Sequence, residues 1–120
     1  MSEHELRPRR ATPDDAAEIV RLRRLMFESM DVVDGDAGWM AAAEDHLRRE
    51  LAGGDLVGAV VDAAAGVIAA CGVIELQQRI PSPMNPSGAS AYISTMSTDL
   101  AWRAAPPGAP RAVVLRAAAR

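Results

Sequence analysis

Few side chains in this sequence could do covalent chemistry, and their settings narrow the choice further. The single cysteine, Cys71, lies in an apolar stretch, where an inert buried thiol is expected because a nucleophilic thiolate needs an electropositive, partly exposed setting. Glu75 follows on the same stretch; it is either a solvated strand carboxylate or a base that takes a proton through water. His46 has no ligand-type residue three or four positions on, so it reads as a surface residue. Asp34-Gly35-Asp36 lacks the acidic spacing and closing glutamate of a calcium loop, which leaves a solvated turn and no metal. All 13 basic side chains are arginine. Schiff-base, phosphate-loop and general-base lysine chemistry are therefore excluded.

Something must hold these groups in place, and 120 residues suit one domain, residues 1–120. With 49% apolar but only 3% aromatic residues, its core must be built from aliphatics and alanine. Leu6 to Ala11 predicts a short strand, with Pro8 at its start or at a sheet edge. Thr12-Pro13-Asp14-Asp15 starts a helix that runs to about Met30, by capping, proline in the first turn and acidic charge at the positive end. Ala16, Ile19, Val20, Leu22, Met26, Phe27 and Met30 form its apolar face. Arg23 falls within that face and reads as snorkelling to its rim, with a buried ligand-binding role as the alternative. A second helix is expected from Ala37 or Trp39 to Ala52, with Met40, Ala43, Leu47 and Leu51 inside and Gly53-Gly54 ending it. The period then changes: strands are predicted at Leu56 to Val61, Val67 to Gln77 and Ala91 to Ser97. The turn Ala63 to Gly66 joins the first two, and a flexible loop, Pro81 to Gly88, the last two. The order β-α-α-β-β-β makes a mixed α/β layer structure with the helices over one sheet face.

Composition excludes several classes. A net charge of −3 and an isoelectric point near 5.3 argue against a nucleic-acid partner. One cysteine cannot staple a secreted scaffold. The longest apolar run, Ala63 to Ile74, falls short of the ~20 residues that span a bilayer. The polar start Met1-Ser2-Glu3-His4-Glu5 is unlike a signal peptide, so a cytoplasmic protein with no membrane partner is expected. The alanine-rich, all-arginine composition suggests GC-rich bacterial coding.

Two segments resemble a known family. Arg9-Arg10-Ala11-Thr12-Pro13-Asp14-Asp15-Ala16-Ala17-Glu18-Ile19 and Ala91-Tyr92-Ile93-Ser94-Thr95-Met96-Ser97-Thr98-Asp99-Leu100-Ala101-Trp102-Arg103 are similar to stretches of the GCN5-related N-acetyltransferases (the GNAT superfamily). The resemblance covers residues 6–103 in matching element order. It implies a mostly antiparallel GNAT-like sheet and direct transfer of acetyl from acetyl-CoA to a primary amine of a small molecule or peptide. By the same resemblance, Met96, Ser97 and Thr98 would offer main chain to the pantetheine arm, and a strand N–H would stabilise the developing oxyanion. Arg103 and Gly108 would belong to a loop that cradles the pyrophosphate at a helix start. Acceptor contacts would come from Phe27, Met30 and Trp39 and from the loop Ile80 to Ser90; Phe27 and Met30 also read as core.

After Arg103 the pattern departs from the family. In Arg103-Ala104-Ala105-Pro106-Pro107-Gly108 the first glycine position is Pro106, and Pro106 and Pro107 have no N–H for a phosphate. Pro110 breaks the following turns, which leaves a short helix from Arg111 to Ala119. Residues 104–120 are thus off pattern, as a shifted reading frame near codon 103 would make them. The expectation is an incomplete acyltransferase fold with impaired transfer and no assignable general acid, Tyr92 being on the wrong element. The alternative is a non-catalytic half-domain that acts as an interaction or homodimerisation module through its open sheet edge.

Overall fold

A computed structural model describes residues 7–32, 38–64 and 66–103. Their order is β1 (Pro8–Arg10), a 3-10 turn (Pro13–Asp15), α1 (Ala16–Ser29), α2 (Gly38–Gly53), β2 (Leu56–Ala64), β3 (Val67–Gln78), β4 (Ala89–Thr98) and the short α3 (Leu100–Arg103). The expected β-α-α-β-β-β order holds, with β2, β3 and β4 running slightly longer than predicted. Residues 104–120, including Gly108 and the Arg111–Ala119 helix, lie outside the described residues. So do the Asp34-Gly35-Asp36 turn and the side chain of Arg103.

Pro8 opens β1 at the sheet edge, where its missing N–H costs no ladder bond. The sheet order is β1-β2-β3-β4, and every neighbouring pair is antiparallel. Thr12 precedes the 3-10 turn as expected, and Asp15 reaches back so that its Oδ2 accepts the Thr12 N–H at 2.7 Å. The carboxylate also takes two bonds from Arg9, at 2.8 and 2.9 Å, so β1 is tied to the helix start. Gly54, at φ 95°, closes α2 with its N–H on the Glu50 carbonyl.

Both helices cover one sheet face, because their apolar stripes recur at helical spacing. Ala16, Ile19, Val20 and Leu22 of α1 and Leu47 of α2 pack with Leu56, Val60, Cys71 and Val73 of the sheet. Met40, Ala43 and Leu51 complete the α2 stripe at the margin of that cluster. On the opposite face Val61, Ala69 and Ala70 form a smaller cluster with Met96 and Trp102.

Three register shifts interrupt the sheet, and α1 clamps two of them. Between Val61↔Ala70 and Asp62↔Ile68 the extra residue is Ala69. Its neighbour Ile68 donates its N–H to Glu18 (2.8 Å) and accepts from Arg21 (3.1 Å). Between Val73↔Thr95 and Ile74↔Ile93 the extra residue is Ser94. Its carbonyl accepts from Arg23 at 2.8 Å. A bulge breaks the ladder locally, so a side-chain donor from the helix satisfies a carbonyl that the sheet leaves out.

The clamps make stability depend on pH. Burial alone would push the Asp15 carboxyl up, but hydrogen bonds from Arg9 and Thr12 outweigh it and hold it below the usual carboxylate range. The Arg21 guanidinium, opposed by burial and helped by the Ile68 N–H, does the same for Glu18. A carboxylate depressed in the folded state contributes stability that is complete above its unfolded value, about 4. That contribution is lost as pH falls through the lower folded value. The urea midpoint should therefore drop below about pH 4, and an Asp15→Asn, Glu18→Gln double variant should show a flatter acid limb; an unchanged limb would contradict this origin.

Candidate functional site

The helix-side face of the sheet is not filled along its whole length. Between α2 and the strands β3 and β4 lies a cavity of about 280 Å³. Its floor is apolar, from Ala43, Leu47, Leu56 and Val73. Its polar wall carries Arg23, His46, Glu75 and Thr95, beside the bulge residue Ser94.

Each polar group arrives there for a structural reason. Arg23 lies seven residues after Ala16 and three after Val20, so the buried stripe of α1 carries it onto β4. Its Nη1 donates to the Ser94 carbonyl (2.8 Å) and to Thr95 Oγ1 (2.6 Å). The guanidinium also sits 4.9 Å from the centroid of the Phe27 ring, a cation–π distance. Arg23, expected to snorkel to the rim of the face, instead has its head bound to β4. Thr95 is buried and stands opposite Val73; Glu75 is two residues further along β3 on the same face, half-buried. His46 is exposed on α2, as expected, but its position at the cavity wall was not. The legible signal for that wall was the arginine interrupting an apolar stripe; nothing in the sequence marked Thr95.

The structure brings two of the three expected acceptor residues together. Phe27 and Trp39 meet edge to face, with centroids 5.7 Å apart and rings at 81°, and they reach the cavity wall through Arg23. Met30 ends α1 with 62% of its surface exposed. Phe27, Met30 and Trp39 do not themselves line the cavity.

Met96, Ser97 and Thr98 follow the Ser94 bulge directly on β4, the edge strand of the sheet among the described residues. Ser97 and Thr98 are buried, and Met96 packs against the Val61–Ala70 cluster. Since these side chains face inward, what this stretch can offer a bound molecule is main chain. Ser97 stands opposite Cys71, and its Oγ is buried with no hydrogen-bond partner among the described residues. Burial pushes the Cys71 thiol up to about 12, against a small opposing effect of the Ser97 backbone. The thiol should resist iodoacetamide in the native protein and react fully in urea; rapid native alkylation would refute the inert assignment. Groups of three or more possible metal ligands are absent among the described residues.

The loop between β3 and β4 was expected to be flexible, but it is built from hydrogen bonds. Ser82 and Asn85 exchange backbone bonds at 3.0 Å, and Gln78 Nε2 bonds the carbonyls of Arg79 and Ser87. Gly88, at φ 74°, could not carry a Cβ, which would lie 2.1 Å from the Arg79 oxygen. Ile80 and Met84 project from this loop, 92% and 94% exposed.

No protein-family model and no curated protein matches the sequence. Solved structures do. A GCN5-related N-acetyltransferase from Ralstonia eutropha JMP134 superimposes with a TM-score of 0.71 at 27% identity, over 95% of this chain and 74% of that one. The fold is that of the GCN5-related N-acetyltransferases. A predicted acetyltransferase from Clostridium acetobutylicum, solved with acetyl-CoA, superimposes with a TM-score of 0.77 at 20% identity, over 92% of this chain and 70% of that one. An aminoglycoside acetyltransferase from an uncultured soil metagenomic sample, in complex with sisomicin, gives 0.64 at 17% identity, over 98% and 69%. The chain therefore spans about 70% of the length of these acetyltransferase structures. Among the described residues, no helix is long and apolar enough to cross a membrane.

Proposed function

We propose that this chain is the acceptor-binding part of an N-acetyltransferase that moves acetyl from acetyl-CoA to a primary amine of a small molecule or peptide, in the cytoplasm. The observation that carries the reading is the meeting of two features on β4. The cavity wall ends at Ser94 and Thr95, and the edge stretch Met96–Thr98 begins at the next residue. An amine in the cavity and a thioester lying along that edge would approach each other at the bulge, which is the proximity that acyl transfer needs.

The residues present fit the thioester arm at one place. Met96, Ser97 and Thr98 turn their side chains into the protein, so a pantetheine amide would pair with main chain. Acetyl-CoA, when bound, supplies the activated acyl carbon. Glu75, through water, would take the first proton from the ammonium, which frees the amine nitrogen to accept the acyl group. Transfer would break the C–S bond, the second amine proton would pass to solvent, and the leaving thiolate would take a proton from solvent. Arg103 and Gly108 remain the candidates for the phosphates by resemblance. The departures at Pro106 and Pro107 weaken that end of the site, since neither has an N–H.

The test is acetyl transfer, read as release of free thiol from acetyl-CoA in the presence of primary amines, alongside calorimetric titration with acetyl-CoA. Saturable binding with amine-dependent thiol release supports the enzyme. Neither signal would sink it. A second reading, a GNAT-derived interaction module, is favoured by the exposed Tyr92 and Ile93 on the edge strand, 59% and 52% accessible. A dimer by light scattering together with no acetyl-CoA binding would favour that reading.

A further inference from the structure

Three arginines of this protein meet a carboxylate with the same edge of the guanidinium, and Arg23 departs from them. Arg9 turns its Nε–Nη2 edge to both oxygens of Asp62, at 2.7 and 3.1 Å. Arg21 does the same to Glu18, at 2.7 and 3.0 Å, and Arg48 to one oxygen of Glu44, at 3.3 and 2.9 Å. That edge is the fork that matches a carboxylate. Arg23 spends only Nη1, on Ser94 and Thr95. Its Nε and Nη2 donate to no described residue, and no described carboxylate pairs with it. It is nonetheless half-buried under the Phe27 ring. A partly desolvated cation without a counterion is unfavourable unless a ligand supplies one.

The same cavity holds the complementary charge. Glu75 lines it, and among the described residues it too has no ion pair. It stands on the helix-side face two residues from Val73, whose cross-strand partner Thr95 holds Arg23. One wall therefore offers an unpaired guanidinium and an unpaired carboxylate a few residues apart. The floor beneath them, Ala43, Leu47, Leu56 and Val73, is apolar. At about 280 Å³ the space is at or below the small end of the range for drug-sized ligands.

We infer that the cavity binds a free amino acid or a comparably small amino-acid-like molecule, with its ammonium at Glu75, its carboxylate on the open fork of Arg23 and an aliphatic side chain on the floor. The inference rests on the transferase reading for its meaning, since this molecule would be the acetyl acceptor. A polycation is disfavoured, because it would bring positive charge to Arg23. The acceptor thus differs in class from the aminoglycoside bound by the soil-sample neighbour.

The experiment is calorimetric titration of the whole chain with three matched probes: L-leucine, isopentylamine and 4-methylpentanoate. L-leucine carries both charged groups, and each of the others lacks one. L-leucine should bind at least about tenfold more tightly than either, as one charge-assisted pair is worth. Arg23→Gln should erase its advantage over isopentylamine, and Glu75→Gln its advantage over 4-methylpentanoate. If Arg23→Gln does not fold, Glu75→Gln decides alone. Equal binding of L-leucine and isopentylamine, or no binding of L-leucine, overturns the inference. Acetyl-CoA titrated into the same samples separates the two claims. Acetyl-CoA binding without a preference for L-leucine leaves the transferase reading standing and removes the acceptor class. A preference for L-leucine without acetyl-CoA binding does the reverse.

Discussion

Leu22→Ala should cost about 2–5 kcal/mol, the range for deleting a fully buried leucine side chain. Leu22 has no exposed surface and belongs to the main core cluster, where α1 meets the sheet. Few large rings are available to close over the space, because the core is made of Ile, Val, Leu and Ala. The cavity should therefore persist and the cost should lie toward the upper part of that range. A domain of this size has about 5–15 kcal/mol in total. The urea midpoint should fall by at least about 1 M, given typical slopes of about 1–3 kcal/mol/M. Met30→Ala, at the exposed residue that caps the same helix, should change stability by no more than about 0.5 kcal/mol. Equal losses at the two positions would mean that α1 does not pack as described.

Arg23→Met should be the most costly substitution of a polar side chain. It keeps the aliphatic stem but removes both bonds to β4, leaving the Ser94 carbonyl and the buried Thr95 hydroxyl without the donor they have. Hydrogen bonds from a charged donor contribute about 1.5–3 kcal/mol, and the contact with Phe27 about 0.5–1 kcal/mol more. The expected loss is about 2–4 kcal/mol by urea unfolding. Hydrogen exchange should also report it locally, as faster exchange of amides flanking Ser94 while β2 is unaffected. A stability change within about 0.5 kcal/mol with unaltered exchange would show that Arg23 does not hold the bulge.

These two residues also mark where sequence reasoning succeeds and where it stops. Leu22 was legible because apolar residues at helical spacing must find a common face; α1 and α2 followed from that period, and β2, β3 and β4 from its change. The Cys71 setting followed from its apolar neighbours. Arg23 was misread because periodicity places a residue on a face but does not say what that face meets. Its partners, Ser94 and Thr95, are 71 and 72 positions away, and a bulge leaves no pattern in a strand of small polar residues. The β3–β4 loop was misjudged for a related reason. Its prolines, serines and Asn85 signal a turn, but the bonds that fix it depend on which side chains face inward. The cavity was not legible at all, since it results from two helices and three strands failing to fill a shared volume.

The proposed function has β4 beyond the Ser94 bulge hold the thioester arm of acetyl-CoA by its main chain. It is tested most directly by titrating the ¹⁵N-labelled chain with acetyl-CoA and following backbone amides. Saturable shifts centred on Met96, Ser97 and Thr98, with smaller ones at Ser94 and Thr95, are the predicted result. Saturable binding whose shifts leave those three amides unmoved, or no shifts at all, would contradict it.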